Sequence, residues 1–211
     1  MKQEDVFDSS NIVTFSRIAL SFVVAYLLSL QKTNFYLIAF FLIIFIIFMD
    51  YIDGFVARKF NSITDFGGVI DIVGDRIVEN VLWIVFSYLK LIPLWIPIVV
   101  VSRSFITDGF RSYALLKGKT AFGKKTMMRG HIGIFFVSSR FSRALYAIAK
   151  AAAFSLLALQ LYLINISYSN IGIFKDIAYS LVLFTVAFCV LRGFFVVYDG
   201  FSLFISHRRS Q

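Results

Sequence analysis

Between residues 50 and 75 the chain reads DYIDGFVARKFNSITDFGGVIDIVGD, and four carboxylates, Asp50, Asp53, Asp71 and Asp75, fall within or at the ends of two strongly apolar segments. Ionised carboxylates at membrane depth are costly, so by default they mark a functional site. Asp50 and Asp53 are spaced i,i+3 and Asp71 and Asp75 i,i+4, so on helices each pair shares one face. Gly54 and Ala57 fall on the face of the first pair and leave a hollow free of side chains beside it. A break over 59–65, with Asn61, Ser62 and Thr64, lets the second helix turn back beside the first. Four oxygen-bearing groups then converge on one point, the hard-ligand surroundings that Mg²⁺ or Mn²⁺ prefers. The competing reading pairs these acids with Arg58 and Arg76 as buried structural ion pairs. The acids outnumber the local arginines, which favours a divalent cation.

The segments that must hold these residues are membrane helices. The chain has 211 residues, 59% of them hydrophobic, with 26 Phe and 2 Pro, more apolar surface than a soluble domain of this size could bury. Crossing a hydrocarbon core of about 30 Å takes about 20 residues. Six runs qualify, over 11–30, 34–58, 67–89, 92–116, 142–165 and 175–204. No stretch alternates with the two-residue period of a barrel strand, so the expected fold is an all-α polytopic membrane protein with six transmembrane helices. Glu4, Asp5 and Asp8 with Val6 and Phe7 suggest a short N-terminal interfacial helix, and Ser9, Ser10 or Asn11 offers a cap for the first span. The first apolar run is followed by no small-residue cleavage site and is expected to remain a membrane helix. Cys189 stands alone in an apolar run, which excludes an internal disulfide and a thiolate metal site.

The net charge of +9 concentrates in connections beside the spans, which points to anionic headgroups and an anionic substrate and away from nucleic acid. Lys2, Arg58, Lys59, Lys117, Lys119, Lys124, Lys125, Arg129, Arg140, Arg208 and Arg209 fall on one side, against Lys32, Lys90 and Lys175 on the other. The positive-inside rule then puts both termini, and the acidic cluster, at the cytoplasmic face. Residues 117–141 read as a basic loop in which Phe135, Phe136 and Val137 interleave with cations, as in a segment resting on a membrane surface. His131 has no companion ligands at metal spacing. Glu79 continues the Asp71/Asp75 face one turn deeper. Arg103 and Arg111 lie eight residues apart on the fourth span, and Arg143 and Lys150 seven apart on the fifth, so each pair stays near one face. Cations on successive helices suit a phosphorylated substrate; snorkelling to the interface is the alternative.

The pattern Asp50-x2-Asp53-Gly54-x2-Ala57-Arg58-x8-Gly67-x3-Asp71-x3-Asp75 resembles the signature of the CDP-alcohol phosphotransferase (CDP-alcohol phosphatidyltransferase) family at every specified position. The resemblance covers most of the chain and implies one catalytic membrane domain over 1–211, a homodimer, and two Mg²⁺ or Mn²⁺ ions bridging the diphosphate of CDP-diacylglycerol. It implies that Asp50, Asp53 and Asp71 are metal ligands and that Asp75 is a ligand or the general base. Asp50, Gly54 and Ala57 would border the CDP, and Arg58 would hold its diphosphate.

Asn11-x2-Thr14-x2-Arg17, Ser102-Arg103-Ser104-Phe105 and Gly109-Phe110-Arg111 look like the phosphatidylglycerophosphate synthase branch. That branch implies transfer of a phosphatidyl group to sn-glycerol 3-phosphate with release of CMP, and its acceptor phosphate would engage Arg103, Arg111, Arg143 and Lys150. The branch often has Arg-Glu where this chain has Arg103-Ser104, and Gly-Lys-x-Lys where it has Ser142-Arg143-Ala144-Leu145. Inositol 1-phosphate, which also needs a phosphate clamp, stays open as the acceptor. A divalent-cation transporter is the reading from another class, but it needs acids spread across the bilayer rather than gathered at one end.

Overall fold

Apolar runs of this length satisfy their backbone groups internally as helices, and the described residues form helices joined by short turns, with no strand among them. The structure, a computed structural model, describes the backbone of residues 9–59, 65–116, 118, 128, 130 and 133–208, and side chains within 12–49, 69–116, 118, 128, 130 and 133–202. Six long helices follow one another: α1 Ser9–Ser29, α2 Thr33–Lys59, α3 Asp65–Tyr88, α4 Trp95–Leu116, α5 Arg140–Asn165 and α6 Ile171–Arg208. Their ends fall within a few residues of the expected spans. The expected N-terminal interfacial helix falls largely on residues 1–8, outside the described residues, as do most of 117–132 and His131.

Three helices carry windows long and apolar enough to cross a membrane, Ile12–Ser29, Arg140–Asn165 and Ile171–Ser202, and Thr33–Met49 is a shorter apolar stretch. Large apolar side chains also point outward from α3 and α4, among them Ile84 and Phe105. The chain is an integral membrane protein. α3 and α4 are less apolar because they carry the ionisable residues, Asp71, Asp75, Arg76 and Glu79 on one and Arg103, Asp108 and Arg111 on the other.

Two helices end in the same way. After α3, Lys90 is left-handed with φ 59°, and the Leu91 and Lys90 amides donate to the Phe86 and Ser87 carbonyls at 3.1 and 2.9 Å. After α5, Ser167 has φ 54°, and the Tyr168 and Ser167 amides donate to Leu163 and Ile164, both at 3.1 Å. This is the Schellman closure, made here without glycine.

The chain forms two compact units, Met1–Leu94 with Phe154–Ala178, and Trp95–Ala153 with Tyr179–Gln211. In the first, α1 packs against both α2 and α3. Trp83 and Phe86 of α3, fully buried, meet Phe154 of α5 with ring centroids 4.7 and 6.1 Å away. In the second, Ala114, Met128, Val137 and Val196 form a buried cluster flanked by Phe110 and Phe195. Gly193 and Gly200 of α6 let α4 approach closely: a Cβ would lie 2.7 Å from Arg103 Cγ at the first and 2.6 Å from Phe110 Cδ1 at the second. Small residues at such contacts are the usual means of close helix approach in lipid.

The expected loop over 117–141 is corrected at its C-terminal part. Ile134–Ser138 form a π-helical turn and α5 already begins at Arg140. Ser139, extended at φ −66° and ψ 144°, accepts the Ser142 amide at 3.1 Å and so caps α5. Val137 is buried, and the half-buried Phe136 ring stacks on Phe195 at 5.6 Å and 9°, so both side chains pack against the protein's own helices. Phe135 alone of the three is exposed.

Candidate functional site

In the first unit the acidic residues of α3 are gathered by a cation from another helix. Arg17 of α1, only 2% exposed, donates a hydrogen bond to Asp75 and lies 3.6 Å from Asp71. Spacing of four puts both carboxylates on one face of α3, and one guanidinium reaches both. Asp71 and Asp75 remain 49% and 45% exposed, so an incoming ligand can reach them. Arg76 pairs with the buried Glu79 at 3.6 Å, one turn along its own helix. Both acids are engaged by Arg17, which lies 58 residues from Asp75 in sequence.

Asp50 and Asp53 lie in the helical backbone of α2, but their side chains, and those of Gly54, Ala57 and Arg58, are outside the described residues. Among the described residues no group of three or more His, Cys, Asp or Glu is placed to hold a metal. Asp71 and Asp75 nonetheless have the donor chemistry a hard divalent cation needs. They are paired oxygen ligands, half-exposed, already converging on one positive charge.

The described residues of the second unit include the cations Arg103, Arg111, Arg143, Lys150 and Arg192 together with the carboxylates Asp108 and the buried Asp199. Arg192 of α6 is buried, and its Nη1 and Nη2 donate to the carbonyls of Ser142 and Val137 at 3.4 and 3.5 Å. These carbonyls flank the break between the π turn and α5, where regular helical bonding is interrupted. Ser142 Oγ closes the same break by donating to Phe136 O. Arg103 and Arg143 lie close enough for their charges to act on Arg192. The Tyr146 ring is approached by two cations, Arg192 at 5.2 Å and Lys150 at 5.5 Å from the centroid. Arg103 Nε and Nη1 and Arg192 Nε are buried with no hydrogen-bond partner among the described residues. Buried guanidinium donors left unsatisfied are expensive, and an anion would satisfy them.

Of the four cations expected around an acceptor phosphate, Arg103 lies against Gly193, next to Arg192, and Lys150 meets the Tyr146 ring that Arg192 also approaches, while Arg143 is exposed and its Nε donates to Ser139 O at 3.4 Å. Arg111 instead pairs with Asp108 at 3.2 Å on its own helix. Arg17 and Arg192 are the residues the sequence reading left without a role. Both were visible as arginines inside apolar spans, the signal that by itself marks function.

The sequence model described as CDP-alcohol phosphatidyltransferase matches residues 7–191. The chain belongs to this family. Among similar proteins, a CDP-diacylglycerol--glycerol-3-phosphate 3-phosphatidyltransferase of Bacillus subtilis is 37% identical over 62 residues, 29% of this chain and 32% of that protein. A protein of the same name from Mycoplasma genitalium is 32% identical over 81 residues, covering 38% of this chain and 34% of the relative. A probable CDP-diacylglycerol--inositol 3-phosphatidyltransferase 2 of Arabidopsis thaliana is 30% identical over 112 residues, 53% of this chain and 48% of the relative. The chain thus spans less than half the length of each of these three relatives. Arg17, Asp71, Asp75, Arg103 and Arg143 all fall within the stretch matched to the CDP-alcohol phosphatidyltransferases.

Proposed function

We propose that this chain transfers the phosphatidyl group of CDP-diacylglycerol to sn-glycerol 3-phosphate, forming phosphatidylglycerophosphate and releasing CMP. Membership of the family supports the reaction class, and the names of several relatives support the acceptor. The observation that carries a phosphorylated acceptor is the pair of buried Arg103 atoms, Nε and Nη1, with no hydrogen-bond partner among the described residues, on a side chain packed against Gly193 next to Arg192. Serine or another uncharged acceptor would leave those donors without a purpose.

In this reading Asp71 and Asp75, with Asp50 and Asp53, hold one or two Mg²⁺ or Mn²⁺ ions. Such ions, when bound, offset charge on the diphosphate and on the departing phosphate oxygen. Gly54 and Ala57 leave room for the cytidine and Arg58 holds the diphosphate. Asp75 takes the proton of the acceptor hydroxyl as its oxygen attacks the lipid-linked phosphorus, and the bond from that phosphorus to CMP breaks with the electron pair leaving on CMP. Arg103, Arg143 and Arg192 bind the acceptor phosphate, with Lys150 adding charge beside Tyr146. Six spans, a homodimer, and a site and termini facing the cytoplasm complete the proposal, supported by the six long helices and the distribution of Lys and Arg.

The test is CMP release by the purified protein with CDP-diacylglycerol and Mg²⁺, screened across glycerol 3-phosphate, inositol 1-phosphate and serine. Glycerol 3-phosphate is expected to support turnover, and Asp71→Asn or Asp75→Asn to abolish it. A preference for inositol 1-phosphate would keep the reaction and replace the acceptor. Absence of CMP release with every acceptor would overturn the enzyme reading in favour of a cation transporter.

A further inference from the structure

The α1–α3 contact is built around the two carboxylates. Thr14, Arg17 and Ser21 are buried at spacings of three and four, a polar stripe down one face of α1. Gly74, between Asp71 and Asp75 in sequence, has α1 directly against it. A Cβ there would lie 2.5 Å from Thr14 Cγ2 and 3.5 Å from Ile18 Cδ1. The glycine therefore sets how closely α1 approaches, at the level where Arg17 reaches Asp71 and Asp75.

We propose that Arg17 is the resident counter-cation of the Asp71–Asp75 pair and limits how tightly that pair takes up a divalent cation, acting as a positioning residue and not as a ligand. The inference rests on the reading of Asp71 and Asp75 as metal ligands. Two carboxylates on one helix face repel each other, and a buried guanidinium that bonds Asp75 and lies 3.6 Å from Asp71 offsets that repulsion and fixes where their oxygens point. The same positive charge opposes an arriving divalent ion. Arg17 thus keeps the pair aimed while holding the affinity in a range that allows exchange.

The measurement is Mn²⁺ binding by the full chain in detergent micelles, read from the electron paramagnetic resonance signal of free Mn²⁺. Arg17→Met removes the charge at similar volume and is expected to bind Mn²⁺ about tenfold more tightly. Arg17→Lys keeps the charge and should stay within about twofold of the wild type. CMP turnover should fall in Arg17→Met although its metal binding tightens, a split that simple loss of structure would not give. Gly74→Ala provides a second route, since it pushes Thr14 and hence α1 away without changing any charge. It should tighten binding in the same direction by a smaller factor, and it decides the matter if Arg17→Met does not fold. Binding that these variants leave unchanged or weaken overturns the inference alone. Absence of Mn²⁺ binding by the wild type sinks the metal-site reading and this inference with it.

Discussion

Arg103 is the residue whose removal should read most directly on the acceptor. Its buried Nε and Nη1 lack partners among the described residues, so an acceptor phosphate would meet them already desolvated. A charge-assisted hydrogen bond contributes about 1.5–3 kcal/mol, so Arg103→Ala should raise KM for glycerol 3-phosphate about tenfold or more. KM for CDP-diacylglycerol should change much less, and an equal rise for both would assign the residue to the diphosphate. Arg111→Ala should have the smaller effect of the two, because Asp108 at 3.2 Å already offsets that charge. The sequence made Asp71 and Asp75 legible because an i,i+4 spacing within one helix fixes a shared face. Arg17 was not legible as their partner, since it lies 58 residues from Asp75 and no spacing rule joins residues on different helices. Arg192 was visible as a cation in an apolar run, but nothing local could show that it holds the Val137 and Ser142 carbonyls.

At the level of helices, length and hydropathy located all six, because each apolar run is bounded by polar or charged residues. The π turn escaped for a physical reason. Five residues of IFFVS have no periodicity long enough to read, and the turn is held by contacts from α6, Phe195 stacking on Phe136 and Arg192 bonding Val137 O. The Ser139 cap was the local signal available. Helix ends also carry a test. Lys90 and Ser167 adopt left-handed backbone that costs a side-chain-bearing residue about 1–2 kcal/mol. Lys90→Gly or Ser167→Gly should therefore stabilise the protein by about 0.5–1 kcal/mol after the extra freedom of the unfolded chain is subtracted, seen as a higher Tm in detergent. The opposite is expected at Gly200, where any Cβ meets the Phe110 ring. Gly200→Leu should force α4 away from α6 and lower stability by about 1–3 kcal/mol in the same assay, and an unchanged Tm would refute that contact.

For the whole molecule, the membrane class follows from composition, whereas sidedness rests on the distribution of Lys and Arg. In a Cys189→Ser background, cysteines at Lys124 and at Lys90 or Ser167 should react with an impermeant maleimide from opposite sides of sealed vesicles, and labelling from the same side would overturn the proposed topology. α6 has 38 residues and so runs about 57 Å at a rise of about 1.5 Å per residue. The hydrocarbon layer is about 30 Å thick and helices tilt by up to about 40°, so no ordinary inclination hides this helix within it. α6 must stand clear of the oily layer at one end or both, like a mooring post taller than the water is deep. Its C-terminal two turns could be trimmed and a complete crossing would remain, so the excess length is free to serve the headgroup zone.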